Sequence, residues 1–184
     1  MNRHKSLLTV VASLLALLIA NPGFTQSAKA VDHEAIEQAA VANLSVHENN
    51  VYASAQPTPE QLQQLADAGV RHIINLRPES EQDWDEKSAA EAAGIAYHAI
   101  PVAGRADLTL ANAEALDNLL ASLQGQGVLV HCASSNRVGG LRAITALEKN
   151  GSSLEQALAE GRQWGLTGME PTVREVLEEL AADQ

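Results

Sequence analysis

The sequence predicts an α/β fold with a central, mostly parallel sheet of about four to five strands that is flanked by helices. The first observation is that short apolar segments rich in β-branched residues, such as RHIINLR and VLVHC, alternate with longer helix-like segments. The second is that proline and glycine mark the junctions between these segments. Such alternation is typical of parallel sheets that are covered by helices on both faces. Because the sequence contains no internal repeat or low-complexity tract, we expect a single domain.

The predicted elements follow the chain in this alternating order. A first strand, NVYASAQ, leads into a helix within PTPEQLQQLADAGV. There Thr58 is a natural N-cap, Pro59 suits the first helical position and Gly69 ends the helix. The next pairs are RHIINLR with DWDEKSAAEAAG, IAYHAIPV with LTLANAEALDNLLASLQGQG (capped by Thr109), and VLVHC with a helix from Val138 to Lys149. Two more helices are predicted, SLEQALAEGRQWG and EPTVREVLEELAAD.

The first thirty residues have the pattern of a signal peptide. Basic MNRHK precedes apolar SLLTVVASLLALLIA, and AKA at residues 28–30 is a small-x-small cleavage site. The apolar run is shorter than the about 20 residues that span a bilayer, although an uncleaved anchor is the alternative. We expect cleavage after Ala30, a periplasmic or secreted protein without membrane insertion, a helical or loosely ordered lead-in over residues 31–49, and the domain over residues 50–184.

The charge of the chain excludes one function class and sets a requirement for another. The net charge is −11, and it becomes −14 without Arg3, Lys5 and Lys29 of the predicted signal peptide. A basic footprint is therefore missing, and we expect no nucleic-acid partner. Acidic residues fall in segments such as EQDWDEKSAAEA, which we interpret as solvated helix faces. An anionic substrate would need positive charge concentrated at its binding site.

The single cysteine, Cys132, follows the predicted strand VLVH and precedes a predicted helix. In open α/β sheets, ligands bind beyond the carboxyl ends of the strands, and a helix N-terminus favours anions and thiolates. The small residues Ala133, Ser134 and Ser135 let the loop amides converge, and Arg137 adds a forked cation. A thiolate in such a loop is suited to attack a tetrahedral oxyanion. The alternative is a buried thiol beside an arginine in an ordinary ion pair.

Two stretches carry a family resemblance. HCASSNRVG resembles the phosphate-binding loop of the cysteine-dependent phosphatases, and SAQPTPEQLQQLADAGVRHIINLRPESE resembles the opening of the bacterial beta-lactamase-hydrolase-like phosphatase domain family, which is related to the dual-specificity phosphatases. The similarity runs from about Val51 to Lys149. It implies a phosphatase-like fold, metal-free chemistry, a phosphocysteine intermediate, and a phosphorylated protein or a small phosphomonoester as substrate.

The resemblance also implies a role for each residue of the loop. Cys132 would be the nucleophile, Arg137 would bind phosphate and stabilise the transition state, and His131 would hold the loop and tune the thiol. The amides of the residues from Ala133 to Arg137 would hold the phosphate oxygens; these residues are Ala133, Ser134, Ser135, Asn136 and Arg137. A general acid is expected from the loop before the preceding helix, where Asp107 is the only carboxylate of IPVAGRADLT. Asp107 could instead cap that helix, and Asp83 and Asp85 are weaker candidates for the acid.

Three departures from the family pattern keep two other functions open. Four residues separate Cys132 from Arg137, where the better-known phosphatases have five, and the shorter spacing also occurs in rhodanese-like sulfurtransferases. Ser135 stands at the familiar mid-loop glycine, and Val138 stands where a hydroxyl residue is common, so Ser134 or Ser135 would have to assist the departing thiolate. The alternatives are a sulfurtransferase that carries a persulfide on Cys132 and a non-catalytic anion-binding module.

Other residues have structural and functional interpretations side by side. Arg77 and Asn75 close the second strand and are expected either at the same crevice or in a surface ion pair and a turn. Gln56 is expected in a turn, with reach into the site from the end of the first strand as the alternative. We expect core packing for Trp164, Leu166 and Met169, and the alternative for the last two is that they border the pocket. The histidines lie at unrelated spacings, so we expect no metal site and no cofactor; those considered are His47, His72 and His98.

Overall fold

A computed structural model describes residues 30–182, in which five strands form one sheet with the order β1-β2-β5-β3-β4. The pairs β2–β5, β5–β3 and β3–β4 are parallel, and β1 runs antiparallel to β2. The predicted α/β class with a mostly parallel sheet is therefore confirmed. The strands are β1 (Ser45–His47), β2 (Val51–Ser54), β3 (Val70–Asn75), β4 (Ala96–Ala99) and β5 (Gly127–His131).

Seven α-helices lie within the described part of the chain, and two of them begin at the predicted caps. Thr58 and Gln61 form a capping box at the start of α2, with Pro59 at the first helical position. Thr109 accepts a hydrogen bond from the backbone of Asn112 and caps α4. The helices are α1 (His33–Gln38), α2 (Pro59–Asp67), α3 (Glu86–Ala92), α4 (Leu110–Ser122), α5 (Asn136–Glu148), α6 (Leu154–Gln163) and α7 (Glu170–Ala182), and short 3₁₀ turns lie at Glu48–Asn50, Glu79–Glu81 and Arg105–Asp107.

Each face of the sheet packs against its own group of helices, because side chains alternate between the two faces along a strand. Val128 and Val130 of β5 belong to the core under α4, α5, α6 and α7. Leu129, which lies between them, packs in the second core under α1, α2 and α3. All five residues of β5 are buried, as expected for the central strand of a sheet that is covered on both sides.

The lead-in segment is an integral part of the fold. Ile36 of α1 and Val41 are buried in the second core, and Asp32 caps α1. The strand β1 pairs along β2 and was not among the predicted elements, since a strand of three residues leaves little periodicity to detect. The predicted signal peptide lies outside the described residues except for Ala30. Within residues 30–182, no helix has both the length and the apolar character needed to cross a membrane.

The strand register determines which side chains meet at one edge of the sheet. Ser54 of β2 and Asn75 of β3 are both paired with His131 of β5. The three parallel strands therefore end at the same level, so the residues that directly follow them are brought together. This edge holds Cys132, and it is where the family pattern expects the active site.

Candidate active site

Cys132 directly follows β5 and is buried, with 1% of its surface exposed. The six residues from Cys132 to Arg137, called here the cysteine loop, connect β5 to α5. The first hydrogen bond of α5 runs from the N–H of Gly139 to the carbonyl of Ser135. The N–H groups of Asn136, Arg137 and Val138 precede it and so have no partner within the helix. The loop thus joins the thiol to backbone donors that suit an anion.

Ser135 has a left-handed backbone conformation (φ +67°, ψ −10°), which explains why glycine is familiar at this position. Its hydroxyl donates a hydrogen bond to the carbonyl of Trp164 at 3.0 Å, beneath the loop. Gly165 packs directly against it, and a Cβ on Gly165 would lie 2.6 Å from the Cβ of Ser135. Of the two hydroxyls expected to assist a departing thiolate, Ser135 is therefore committed elsewhere and only Ser134 remains.

Asn136 uses its side chain to fasten the cysteine loop to the segment between α6 and α7. Its Oδ1 accepts hydrogen bonds from the backbone N–H groups of Thr167 (2.8 Å) and Met169 (3.0 Å). Its Nδ2 donates to the hydroxyls of Thr167 (3.2 Å) and Ser134 (3.1 Å). The side chain of Asn136 is thus engaged within the protein, and the prediction that its backbone amide holds a phosphate oxygen stays a prediction.

Arg137 is held in place by two acceptors from different parts of the chain. One guanidinium nitrogen donates to Glu81 Oε2 at 2.6 Å, and the other donates to the carbonyl of Val102 at 2.9 Å. These contacts use two of the five N–H groups of the guanidinium, and the others are left for an anion. Glu81 was not among the predicted site residues, although its spacing of four residues from Arg77 was a signal for it.

Arg77 brings a second positive charge to the same edge. It donates to Gln56 Oε1 at 2.7 Å and to the carbonyl of Glu81, and its Nε lies 3.8 Å from Glu81 Oε2. Both interpretations of Arg77 therefore hold, because the residue lies at the strand ends and makes an ion pair there. Two guanidinium groups share the carboxylate of Glu81, so cationic N–H donors are concentrated at this edge, as an anionic substrate of this acidic chain requires. The carboxylates of Glu81 and exposed Asp83 balance part of that charge.

His131 lies behind the cysteine loop in a buried polar network. Its Nε2 is 2.9 Å from Glu86 Oε1, and its Nδ1 is 3.4 Å from the carbonyl oxygen of Cys132. Glu86 Oε2 accepts a hydrogen bond from Asn75 Nδ2 at 2.7 Å, and the same nitrogen donates to the hydroxyl of Tyr97. The interpretation of this acidic segment as solvated is therefore wrong for Glu86, which is only 1% exposed.

Asp107 braces its own loop and does not cap α4. Its Oδ2 accepts a hydrogen bond from the N–H of Ala103 at 2.8 Å, and Thr109 takes the N-cap position. Ala103 follows Val102, whose carbonyl binds Arg137, so the loop of Asp107 adjoins the site. Its role as general acid stays a prediction.

The two weaker candidates for the acid have other surroundings. Asp85 caps α3, and hydrogen bonds from the hydroxyl and the backbone N–H of Ser88 hold the pKa of Asp85 below its usual value. A carboxyl that gives up its proton so readily is a poor proton donor near neutral pH. Asp83 is exposed and lies 3.9 Å from Arg77.

The remaining predicted residues lie in the core, beside a cavity that is separate from the cysteine loop. Leu166 is buried, and Met169 packs against the same core. Trp164 stacks on His47, with the ring centroids 3.5 Å apart, and Arg142 lies over its ring. These last three side chains line a cavity of about 800 Å³, and no residue of the cysteine loop contributes to it. Among residues 30–182, no cluster of three or more His, Cys, Asp or Glu side chains could hold a metal ion.

Comparison with known sequences places this site in a wider group. Residues 48–151 match the profile of the family described as "Polymorphic toxin system, DSP-PTPase phosphatase" (Tc-R-P). A beta-lactamase hydrolase-like protein of Xylella fastidiosa is 34% identical over 117 residues, which make up 61% of this chain and 27% of that protein. A protein of the same description from Agrobacterium fabrum is 37% identical over 97 residues, 50% of this chain and 21% of that one. The matches thus span about a quarter of the length of these curated relatives.

Comparison with solved structures shows the same fold. A DUF442 protein from Shewanella putrefaciens CN-32 superposes with a TM-score of 0.60 at 25% identity, covering 82% of this chain and 97% of that one. The kinase associated phosphatase superposes with a TM-score of 0.56 at 16% identity, covering 78% and 96% of the two chains. At that low identity, the second likeness concerns the fold alone.

Proposed function

The chain belongs to the DSP-PTPase phosphatase family of polymorphic toxin systems, and from this premise we propose that it hydrolyses phosphomonoesters through attack by Cys132. The observation that carries the proposal is the cysteine loop. It joins a thiol at the end of β5, N–H groups at the start of α5 that have no partner within the helix, and a fixed guanidinium within six residues. This combination matches what transfer of a dianionic phosphoryl group requires, namely a nucleophile and stabilisation of equatorial oxygens.

The proposed reaction has two steps. In the first, the thiolate of Cys132 attacks phosphorus, a sulfur–phosphorus bond forms, and the ester bond to the leaving oxygen breaks. That oxygen takes a proton, for which Asp107 is our candidate donor. In the second step, water attacks phosphorus, an oxygen–phosphorus bond forms, and the sulfur–phosphorus bond breaks. The proton that water loses returns to the carboxylate that gave one up in the first step, for which Asp107 is our candidate, and the thiolate is restored as inorganic phosphate leaves. Neither step gains or loses electrons.

Arg137 would stabilise the charge that the phosphoryl oxygens carry in both transition states. Glu81 and the carbonyl of Val102 fix the plane of its guanidinium, so its free N–H groups are oriented before a substrate arrives. The ammonium group of a lysine cannot hold both acceptors and an anion in this planar arrangement. Loss of the fork should therefore reduce turnover even though the charge is kept.

A paired assay tests the proposed function. We expect the wild type to release phosphate from an aryl phosphate and to transfer no sulfur from thiosulfate to cyanide, and Cys132→Ser to do neither. Arg137→Lys should release phosphate about 10²–10³ times more slowly. Arg174→Lys, which alters an arginine in the exposed ion pair with Glu155, serves as the matched control and should keep full activity. Sulfur transfer, or phosphate binding without turnover, would replace the proposal with one of the alternatives.

The role of Asp107 is tested by the choice of leaving group. Asn at this position keeps a side-chain oxygen that can accept from Ala103, so the loop should survive the change. If Asp107 protonates the leaving oxygen, Asp107→Asn should slow hydrolysis of alkyl phosphates by about 10²–10⁴. Aryl phosphates should lose much less, because their leaving oxygen needs less protonation. Equally small losses of hydrolysis rate on both substrates would mean that Asp107 only holds its loop in place through the hydrogen bond from Ala103.

We also propose that the chain is exported to the periplasm or secreted after cleavage behind Ala30. The support is the sequence pattern of residues 1–30, with its basic start, apolar segment and AKA site. N-terminal sequencing of the protein from its native envelope should give a start at Val31. A protein that still begins at Met1 would refute both the cleavage and the proposed location.

A further inference from the structure

A buried acid–base pair lies directly behind the nucleophile and has no part in the proposed reaction. Glu86 at the start of α3 and His131 at the end of β5 are 1% and 0% exposed. The 2.9 Å that separates Glu86 Oε1 from His131 Nε2 is a close polar contact with an angle too poor for a standard hydrogen bond. Within residues 30–182, neither of these two atoms has a hydrogen-bond partner.

The surroundings of the pair favour charge on both members. Asn75 donates a hydrogen bond to Glu86 Oε2, which suits a carboxylate. On the other side, both ring nitrogens of His131 face acceptors, namely Glu86 Oε1 and the carbonyl oxygen of Cys132. Only the imidazolium form presents an N–H to each of them. A buried carboxylate without an opposite charge is strongly disfavoured, and among residues 30–182 His131 is the only cationic group within ion-pair distance of Glu86.

Tyr97 and Arg77, which lie near the pair, do not supply the positive charge that would balance Glu86. Burial raises the pKa of Tyr97, which reaches the network through Asn75, so the phenol stays neutral. Arg77 approaches the network only through its backbone N–H, which donates to Asn75 Oδ1, and its guanidinium is paired with Glu81. The remaining titratable neighbour is Cys132 itself, the next residue after His131.

We propose that Glu86 is a positioning residue that keeps His131 protonated behind Cys132, where the imidazolium charge favours the thiolate. The inference rests on the proposed function only in so far as Cys132 is the nucleophile. Glu86 acts through His131 and touches no substrate. Glu86 lies on α3 and His131 on β5, so the folded protein holds the imidazolium behind Cys132 before any anion binds.

The variant Glu86→Gln removes the charge of Glu86 and nearly preserves the size and shape of its side chain. The glutamine oxygen can keep the hydrogen bond from Asn75, and its amide group then faces Nε2 of His131. That nitrogen must become an acceptor, which makes the ring neutral with its proton on Nδ1. The matched control is Glu91→Gln on the same helix, where the glutamate pairs with exposed Lys87 at the surface.

The first readout is ¹⁵N NMR of the histidine rings near neutral pH, with His131 assigned through a His131→Gln variant. We expect both ring nitrogens of His131 to be protonated in the wild type and in Glu91→Gln, and one to be bare in Glu86→Gln. The second readout is alkylation by iodoacetamide at mildly acidic pH, which reports on Cys132 alone because the chain has one cysteine. Its rate should fall at least about tenfold in Glu86→Gln, since a neighbouring charge shifts such an equilibrium by that much.

A neutral His131 in the wild type, or an unchanged alkylation rate in a folded Glu86→Gln protein, would overturn the proposal. The wild-type NMR measurement decides the question even if Glu86→Gln fails to fold. Failure of the proposed function would show differently, as absence of phosphate release with both readouts as expected. Phosphatase turnover that falls together with the alkylation rate would support both inferences.

Discussion

Gly139 offers a sharp test of how the cysteine loop depends on the packing of α5 against α6. It lies two residues after Arg137, on the side of α5 that packs against Gly161 of α6. A Cβ at this position would lie 2.5 Å from the carbonyl oxygen of Gly161 and 2.6 Å from the backbone nitrogen of Leu166. Both are backbone atoms that cannot rotate away, so Gly139→Ala must push α5 from its neighbours.

The expected magnitude follows from two opposing effects. Alanine gains about 0.8–1 kcal/mol over glycine in a helix interior. Overpacking of a dense core costs about 1–3 kcal/mol, and two backbone contacts place Gly139 at the upper end. We therefore expect Gly139→Ala to lower the free energy of unfolding by about 2 kcal/mol. At Gly140 the added Cβ would meet only side-chain atoms of Leu108 and Val173, at 3.1 Å, so Gly140→Ala should lie within about 1 kcal/mol of the wild type.

Urea unfolding and phosphate release, measured on the same proteins, provide the assay. Gly139→Ala should lose activity beyond its loss of stability, because a displaced α5 carries Arg137 with it. Gly168→Ala is a further control, since nothing lies within 4 Å of its added Cβ. If Gly139→Ala is as stable and as active as the two controls, the close contact of α5 with α6 does not position the loop, and the reasoning fails.

Two more predictions concern the surroundings of the loop. Asn136→Ala removes the acceptor of two backbone N–H groups, so the free energy of unfolding in urea should fall by about 2 kcal/mol. Exposed Asn118→Ala should change it by a few tenths, and similar losses in both would contradict the role of Asn136. Burial lowers the pKa of His47 from 6.5 to about 4, so between these values the unfolded chain binds more protons than the folded one. Stability from His47 is complete above pH 6.5 and is lost as the pH falls towards 4, by about 1–2 kcal/mol after solvent screening. His47→Gln should flatten this part of the stability–pH curve, and an unchanged slope would refute the assignment.

The parts of the fold that are determined by residues close together in the sequence were predictable. Thr58 and Pro59 set the start of α2 through contacts within one turn, and Thr109 does the same for α4. The strand VLVHC is recognisable because its apolar run is short and β-branched, and its end marks the position of Cys132. Local signals therefore located the nucleophile candidate, the fold class and the edge of the sheet that holds the site.

The carboxylates of the site were not predictable in this way. Residues 79–86 contain five acidic side chains, and no spacing tells which of them turn inward. Glu81 meets Arg137 across 56 positions of the sequence, and Glu86 meets His131 from a similarly remote part of the chain. These contacts exist because β3 and β5 are neighbours in register, which is a property of the assembled sheet. Hydrophobic pattern and charge alone made the segment resemble an ordinary solvated surface.

At Ser135, a local backbone conformation and a long-range hydrogen bond affect stability in opposite directions, and mutations can separate the two effects. A left-handed backbone costs about 1–2 kcal/mol for a residue with a Cβ, whereas the hydrogen bond to the carbonyl of Trp164 returns about 1 kcal/mol. Ser135→Gly removes both the cost and the bond, so its stability to urea should stay within about 1 kcal/mol of the wild type. Ser135→Ala keeps the cost and leaves the carbonyl unpaired, so it should lose about 1–3 kcal/mol. Equal losses in the two variants would mean that the loop stores no backbone strain, and the serine would then stand at the family's glycine position at no conformational cost.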